Sequence, residues 1–337
     1  MVLNNLNLFG RRQSVWCENA NFAFGMEYHE MVSRLSGQYA PGEARALVRL
    51  VLEERYGLSL ADVYSGKVTE LSRDDQAELE KIIVRLENGA PVQYVLGHEW
   101  FCGHRFSVAP GVLIPRPETE ELVELALKAC ETDLPTCADG VPHIIDIGTG
   151  SGCIAVSIAL AMHERGQRCR VEGWDISREA LSIAQRNAEQ LGAEVAFREV
   201  DILAFEHVTS AAENAESASV HAETVPPEGL RASLIVSNPP YIVPSEAAQM
   251  HRNVLDHEPH TALFVPEDDP LLFYRAITGY ARKVLLPGGW LLFEVNRAYG
   301  ENVCELLRTS GFGNVVLQHD QFGNARMASA RFATVNN

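Results

Sequence analysis

Apolar residues between Met26 and Gly89 recur at helical spacing. Leu79, Ile82, Ile83 and Leu86 fall at i, i+3, i+4 and i+7, with Ser72 and Asp75 in a capping-box pattern ahead of them and Gly89 placed to stop the helix. Leu47, Leu50 and Val51 repeat that spacing one helix earlier, so residues 26–90 are predicted to form a small helical domain. Residues 1–25 are polar and aperiodic and are expected to be a flexible leader. Over residues 91–118 the texture changes to Gly, Pro and aromatic residues in short extended runs, as expected for a hairpin and linker. Across residues 119–337 β-rich runs (143–147, 170–175, 194–200, 233–237 and 290–295) alternate with helical stretches (154–163, 177–191 and 271–285). This alternation predicts a doubly wound, mainly parallel α/β sheet, whose ligands sit at the carboxyl ends of its strands. The stretch 206–229 is rich in Ala, Ser and Glu with no large apolar residue at core spacing, and reads as a mobile surface loop.

Length and composition agree with this division. A chain of 337 residues, 46% hydrophobic, has room for about two domains and apolar content enough for their cores. No apolar run reaches the roughly 18 residues that span a bilayer, and the first twenty residues lack the zones of a secretory signal, so the expected location is the cytoplasm. The seven cysteines are scattered and form no CxxC pair, which suggests neither a disulfide framework nor a zinc site. A net charge of -17 argues against a protein that coats nucleic acid through its phosphates, and no nucleic-acid or membrane partner is expected.

The sharpest chemistry lies in IIDIGTGSGC at 144–153, an apolar strand that runs into Gly148, Gly150 and Gly152 before a helix. Glycines let the backbone turn tightly and approach a ligand closely. The dinucleotide fingerprint needs its third glycine at 153, where this chain has Cys153, so a pyrophosphate cradle is the weaker reading. Asp175 ends the next strand, where a carboxylate can accept from both ribose hydroxyls, and Asp146 lies at the end of the first. A carboxylate beside the glycine turn attracts a sulfonium or ammonium group and repels a pyrophosphate, which suits S-adenosylmethionine. The competing reading is a tight turn followed by an ordinary strand-end acid.

A second strand, SLIVS, runs straight into Asn238-Pro239-Pro240-Tyr241 on the same rim. Two prolines remove two backbone donors and stiffen the turn, leaving carbonyl oxygens free to accept. The Asn238 side-chain oxygen and the Pro239 carbonyl are then placed to take both N–H bonds of a planar NH2 group, with Tyr241 stacked on its plane. Such a grip aims a weakly nucleophilic amide nitrogen at a methyl carbon, and positioning alone supplies much of the catalysis without a strong general base. The plainer alternative is a proline-rich turn after a buried strand.

LIPRPETEELV at 113–123, DIGTGSG at 146–152, DISREALSIAQRNAEQLG at 175–192 and IVSNPPYI at 235–242 together resemble the HemK-type glutamine N5-methyltransferases, which modify peptide chain release factors. The likeness spans residues 26–333. It implies a class I methyltransferase fold with a seven-stranded sheet, S-adenosyl-L-methionine as cofactor, and a helical N-terminal domain that docks the release factor. It further implies that Asp146, Ile147, Gly148, Thr149 and Gly150 border the methionine and adenosine portions, that Asp175 holds the ribose, and that Asp201 and Ile202 lie against adenine. Asn238, Pro239, Pro240 and Tyr241 are implied to grip the substrate glutamine, Asn238 also near the cofactor, while Arg116, Pro117 and Glu118 border the substrate pocket. For Glu118 and Glu120 a first-turn dipole role is as good a reading as a site role. Glu294 and Asn296 in LLFEVN receive no role, as strand-end polar groups that are simply hydrogen-bonded.

Other features weigh less. His257 and His260 in DHEPH lack a ligand set for a metal, and the loop is expected to cover the site instead. His98 and His104 flank an aromatic cluster of Trp100, Phe101 and Phe106 that packing explains. The rival functions are glutamine methylation of a large-subunit ribosomal protein, adenine-N6 methylation of DNA, nicotinamide-dependent oxidoreduction and non-catalytic adenosine binding. The acidic charge disfavours the DNA enzyme, the displaced third glycine disfavours the oxidoreductase, and a binding module has no use for NPPY.

Overall fold

The computed structural model describes residues 27–132, 134–204, 229–320 and 323–333; the expected leader at 1–25 and the expected loop at 206–229, except Gly229, lie outside them. The chain divides into two units, Met1–Glu87 and Asn88–Asn337.

In the first unit, α1 (Tyr28–Leu35), α2 (Pro41–Tyr56), the short α3 (Leu60–Tyr64) and α4 (Arg73–Glu87) enclose Met31, Leu35, Val48, Val51, Leu52, Leu79, Ile83 and Leu86. Ser72 caps α4: its hydroxyl accepts the Asp75 N–H at 3.1 Å and donates to the Asp75 carboxylate at 2.6 Å. Arg34 on α1 reaches Glu80 at 2.8 Å and Glu87 at 2.9 Å on α4, and these bonds hold its guanidinium protonated. The buried stripe of α2 differs from the expected one: Ala44, Val48, Val51 and Leu52 face inward, while Leu50 is 39% exposed. Ala44 and Val48, one turn apart, set the facing side, and Leu50 lies off it.

In the second unit, residues 92–96, expected as an extended run, form α5 (Val92–Leu96), which ends at Gly97 in the left-handed region (φ +81°). The expected hairpin follows as antiparallel β1 (His98–Phe101) and β2 (His104–Ser107). Phe101 and Phe106 are buried edge to face, but Trp100 is 54% exposed and outside that packing, because successive strand residues point to opposite faces. A 3-10 turn (Pro117–Thr119) leads into α6 (Glu120–Glu131).

The remaining strands are β3 (His143–Ile147), β4 (Arg170–Asp175), β5 (Ala196–Glu199), β6 (Ala232–Ser237), β7 (Leu285–Glu294), β8 (Phe312–His319) and β9 (Ala325–Phe332). They form the expected doubly wound seven-stranded sheet in the order β5-β4-β3-β6-β7-β9-β8, mainly parallel, with β9 antiparallel to both neighbours. The helices between them are α7 (Cys153–Glu164), α8 (Arg178–Leu191), α9 (Arg252–His257), α10 (His260–Leu263), α11 (Leu272–Val284) and α12 (Gly300–Thr309). Alternation along the strands sorts the core into two layers. Ile145, Ile147, Ile235 and Phe293 pack with Tyr274 and Ile277 of α11 and with Val303 and Leu307 of α12. Ile144, Leu234, Val236 and Leu292 pack with Leu122 and Val123 of α6 and with Ile154 and Ile158 of α7. Each such side chain contributes about 1.5–3 kcal/mol on burial. Strands buried on both faces read as unbroken apolar runs, and their registry (Asp146 beside Val236) brings the turns after β3 and β6 to one edge.

Candidate active site

After β3 the chain passes through Gly148 and Gly150 with φ of +76° and +55°, which disfavours any side chain there. A Cβ on Gly150 would meet nothing within 4 Å, and the nearest atom to one on Gly148 would be the Asn238 carbonyl oxygen at 3.9 Å. The space above the turn is therefore open, and the NPPY backbone borders it. Gly148 and Thr149 donate their N–H groups to the Trp174 carbonyl at 2.8 and 2.9 Å, which fixes the turn against β4. Gly152 has a packing task instead: a Cβ there would lie 3.0 Å from that of Ala184 on α8.

Two carboxylates flank this turn. Asp146 is fully buried; its Oδ2 accepts from the Thr149 hydroxyl at 2.6 Å and the Ala155 N–H at 3.3 Å, while Oδ1 has no hydrogen-bond partner. Burial pushes its pKa up to about 7, against the opposing pull of those two bonds. Asp175 accepts from the Gly150 N–H and the Ser177 N–H, both at 2.9 Å, and burial raises its pKa as well. Beyond β5, Asp201 accepts from the Leu203 N–H at 2.9 Å, and Ile202 turns its side chain into the core.

The turn after β6 is tied at both ends. Ser237 donates its hydroxyl to the Ile147 carbonyl at 2.6 Å, locking the two strand ends together. Asn238 donates through Nδ2 to the Thr119 hydroxyl at 3.2 Å, and Thr119 in turn donates to Glu294 Oε2 at 2.7 Å. The Tyr241 hydroxyl donates to the other oxygen of Glu294 at 3.1 Å. Asn296 holds the backbone, donating to the Tyr241 carbonyl at 3.1 Å and to Glu246 at 2.9 Å. Burial raises the pKa of Glu294, and burial followed by the Glu294 charge raises that of Tyr241.

Asn238 and Tyr241 border a cavity of about 520 Å³, lined also by Arg116, Glu118, Pro239, Leu113, Ile242, Met250, His251, Val254, Ala262, Leu263 and Arg326. Arg116 pairs at 2.6 Å with Glu258, whose side chain is 1% exposed and also accepts the Ile114 N–H at 3.2 Å. Pro117 and Pro240 lie in the backbone next to the cavity without lining it. Among the described residues no group of three or more His, Cys, Asp or Glu is arranged to hold a metal, and no helix is long and apolar enough to cross a membrane.

Residues 28–97 match the family model described as PrmC N-terminal domain, and residues 141–226 match the one described as methyltransferase domain. The release factor glutamine methyltransferase of Bacteroides thetaiotaomicron is 42% identical over 292 residues, 87% of this chain and 94% of that one. The chain belongs to the release factor glutamine methyltransferase family. The enzyme of that name from Flavobacterium psychrophilum is 35% identical, covering 90% of this chain and 97% of its own.

Within this release factor glutamine methyltransferase family member, sequence reasoning brought the glycine turn, the two strand-end acids and NPPY to one rim, and the structure assembles them there. It passed over Thr119, Glu258 and Arg326 and gave Glu294 and Asn296 no part. Thr119 lies inside IPRPETE, a signal that drew attention only to its charged neighbours. Glu258 sits in DHEPH, between the two histidines weighed as metal ligands.

Proposed function

We propose that this protein transfers the methyl group of S-adenosyl-L-methionine to the side-chain amide nitrogen of the glutamine in the Gly-Gly-Gln motif of peptide chain release factors, in the cytoplasm. The observation that carries this reading is the approach of the Gly148 turn to the Asn238 carbonyl beside the cavity that Asn238, Pro239 and Tyr241 line. The helical residues 26–90 serve as the docking domain, residues 91–118 as hairpin and linker, and residues 119–337 as the catalytic domain.

The residues present suit the cofactor. Asp146 offers a buried, unpartnered oxygen of the sign a cationic tail needs, and the open glycine turn leaves room for close approach. Ile147, Gly148, Thr149 and Gly150 would border the methionine and adenosine portions. Asp175, oriented by two backbone N–H groups, would accept from the ribose hydroxyls, with Asp201 and Ile202 bordering adenine and Asn238 reaching the cofactor from the β6 turn. When bound, S-adenosylmethionine supplies an electrophilic methyl carbon.

The chain's own part is to hold the amide. Asn238 Oδ1 and the Pro239 carbonyl accept its two hydrogens, which loosens the nitrogen lone pair from the amide π system and aims it. Tyr241 borders the plane of the amide, Arg116 and Glu118 flank the glutamine's approach, and Pro117 and Pro240 stiffen the backbone beside them. The proton shed by the alkylated nitrogen passes along the Asn238 and Pro239 oxygens to water. Incubation of release factor with enzyme and cofactor, followed by mass spectrometry, tests the reading. A gain of about 14 Da on the glutamine is expected for one transferred methyl, and its absence, or the same gain on a ribosomal protein alone, refutes it.

A further inference from the structure

We infer that Thr119 and Glu294 form a polarity-setting relay that fixes which end of the Asn238 amide faces the substrate, and thereby make the site select glutamine over glutamate. The inference rests on the glutamine reading proposed above.

The hydrogens can be counted along the relay. Glu294, 2% exposed, is given hydrogens on both carboxyl oxygens, by the Tyr241 hydroxyl at 3.1 Å and the Thr119 hydroxyl at 2.7 Å. Burial raises the pKa of Glu294, while these two hydrogen bonds and then Arg326 favour its charged form. The single hydrogen of Thr119, itself 3% exposed, is thereby committed, and its oxygen can only accept from Asn238. Asn238 must then turn Nδ2 toward Thr119, and Oδ1 is the end left for the cavity. A flipped amide would set two acceptors against each other in a part-buried place, which is costly.

Specificity follows from this orientation. With Oδ1 outward, Asn238 and the Pro239 carbonyl offer two acceptors, a match for the NH2 of a glutamine and a repulsion for the carboxylate of a glutamate. Without the relay, Asn238 is free to turn its NH2 outward and welcome the carboxylate. Thr119 acts through Asn238, and Glu294 through Thr119 and Tyr241, which makes them positioning residues.

The test uses the full-length enzyme with release factor, and with release factor carrying Gln→Glu at the target position. Turnover is measured on the first, and calorimetry in the presence of S-adenosylhomocysteine gives the affinity for each. Thr119→Val keeps the shape and removes the hydroxyl; Thr119→Ser keeps the hydroxyl and loses a methyl. Thr119→Val is expected to lose about tenfold or more in turnover and a similar factor in the Gln-over-Glu preference, with Thr119→Ser within about threefold of wild type on both. Glu294→Gln, which offers its neighbours a donor in place of one acceptor, is expected to lower the preference in the same direction and serves if Thr119→Val does not fold. Equal losses in the Val and Ser variants, or an unchanged preference in Thr119→Val and Glu294→Gln, overturn the relay. Absence of methylation by the wild-type enzyme instead strikes at the glutamine reading itself.

Discussion

Replacing Asp146 by Asn removes a buried titration while conserving shape, and its effect on stability can be worked out beforehand. The Asn oxygen can accept from Thr149 and Ala155 as Oδ2 does now. In the wild type the carboxyl has a pKa of about 7 when folded against an ordinary value of 3.8. A folded pKa above the unfolded one means that stability is fully present below the lower value and is lost as pH rises through the upper one. Over pH 5 to 8 this single group costs the folded protein about 2–3 kcal/mol that the Asn variant does not lose. Asp175 and Glu294, also raised, are present in both proteins and drop out of the comparison. Urea unfolding at pH 5, 6, 7 and 8 without cofactor measures the difference. The gap between the two proteins should widen in favour of the Asp146→Asn variant as pH rises; parallel pH profiles would refute the buried, raised carboxyl. A cation lodged beside Asp146 should discharge the same proton, so calorimetry near pH 6 in two buffers of different ionisation heat should detect proton release on binding S-adenosylmethionine in the wild type alone.

Asn238→Ala should leave thermal unfolding within a few degrees of wild type yet lower turnover on release factor by about a hundredfold, the scale of losing one oriented acceptor; near-normal turnover would count against the grip. In Gly173→Ala the new Cβ would lie 2.7 Å from the Phe197 ring and 2.8 Å from the Thr149 hydroxyl, so the variant should lose about 1–3 kcal/mol in urea and bind cofactor more weakly as Thr149 is pushed from Asp146. Glu258→Ala strips Arg116 and the Ile114 N–H of their shared acceptor, and should cost about 2 kcal/mol in urea while raising KM for release factor.

The central strands were legible because strands covered on both faces must be apolar throughout, and 143–147 and 233–237 are nearly so. The site was legible for a related reason: the glycine turn and NPPY each follow such a strand directly, and parallel strands deliver both turns to one edge. Local context hid α5, since the β-branched and aromatic run at 92–96 has strand propensity, and the helix is set by Pro91 before it and Gly97 after it. The relay was hidden by distance along the chain: Thr119 and Glu294 are 175 residues apart, and no periodicity couples them. Glu294 by itself looked like any acid at the end of a strand, and only the two hydroxyls aimed at it distinguish it.

Because β9 lies between β7 and β8, the sheet is not completed in the order in which its strands are made. A ribosome that has just released His319 has produced a strand with no neighbour to join, while one side of β7 still lacks its backbone partners. Truncation after residue 320 would thus tear out an interior strand, and with it Arg326 from the cavity wall. Loss of β9 should leave β8 without a neighbour and β7 without one of its two, and the nascent chain should complete the cavity wall only as residues 325–332 emerge.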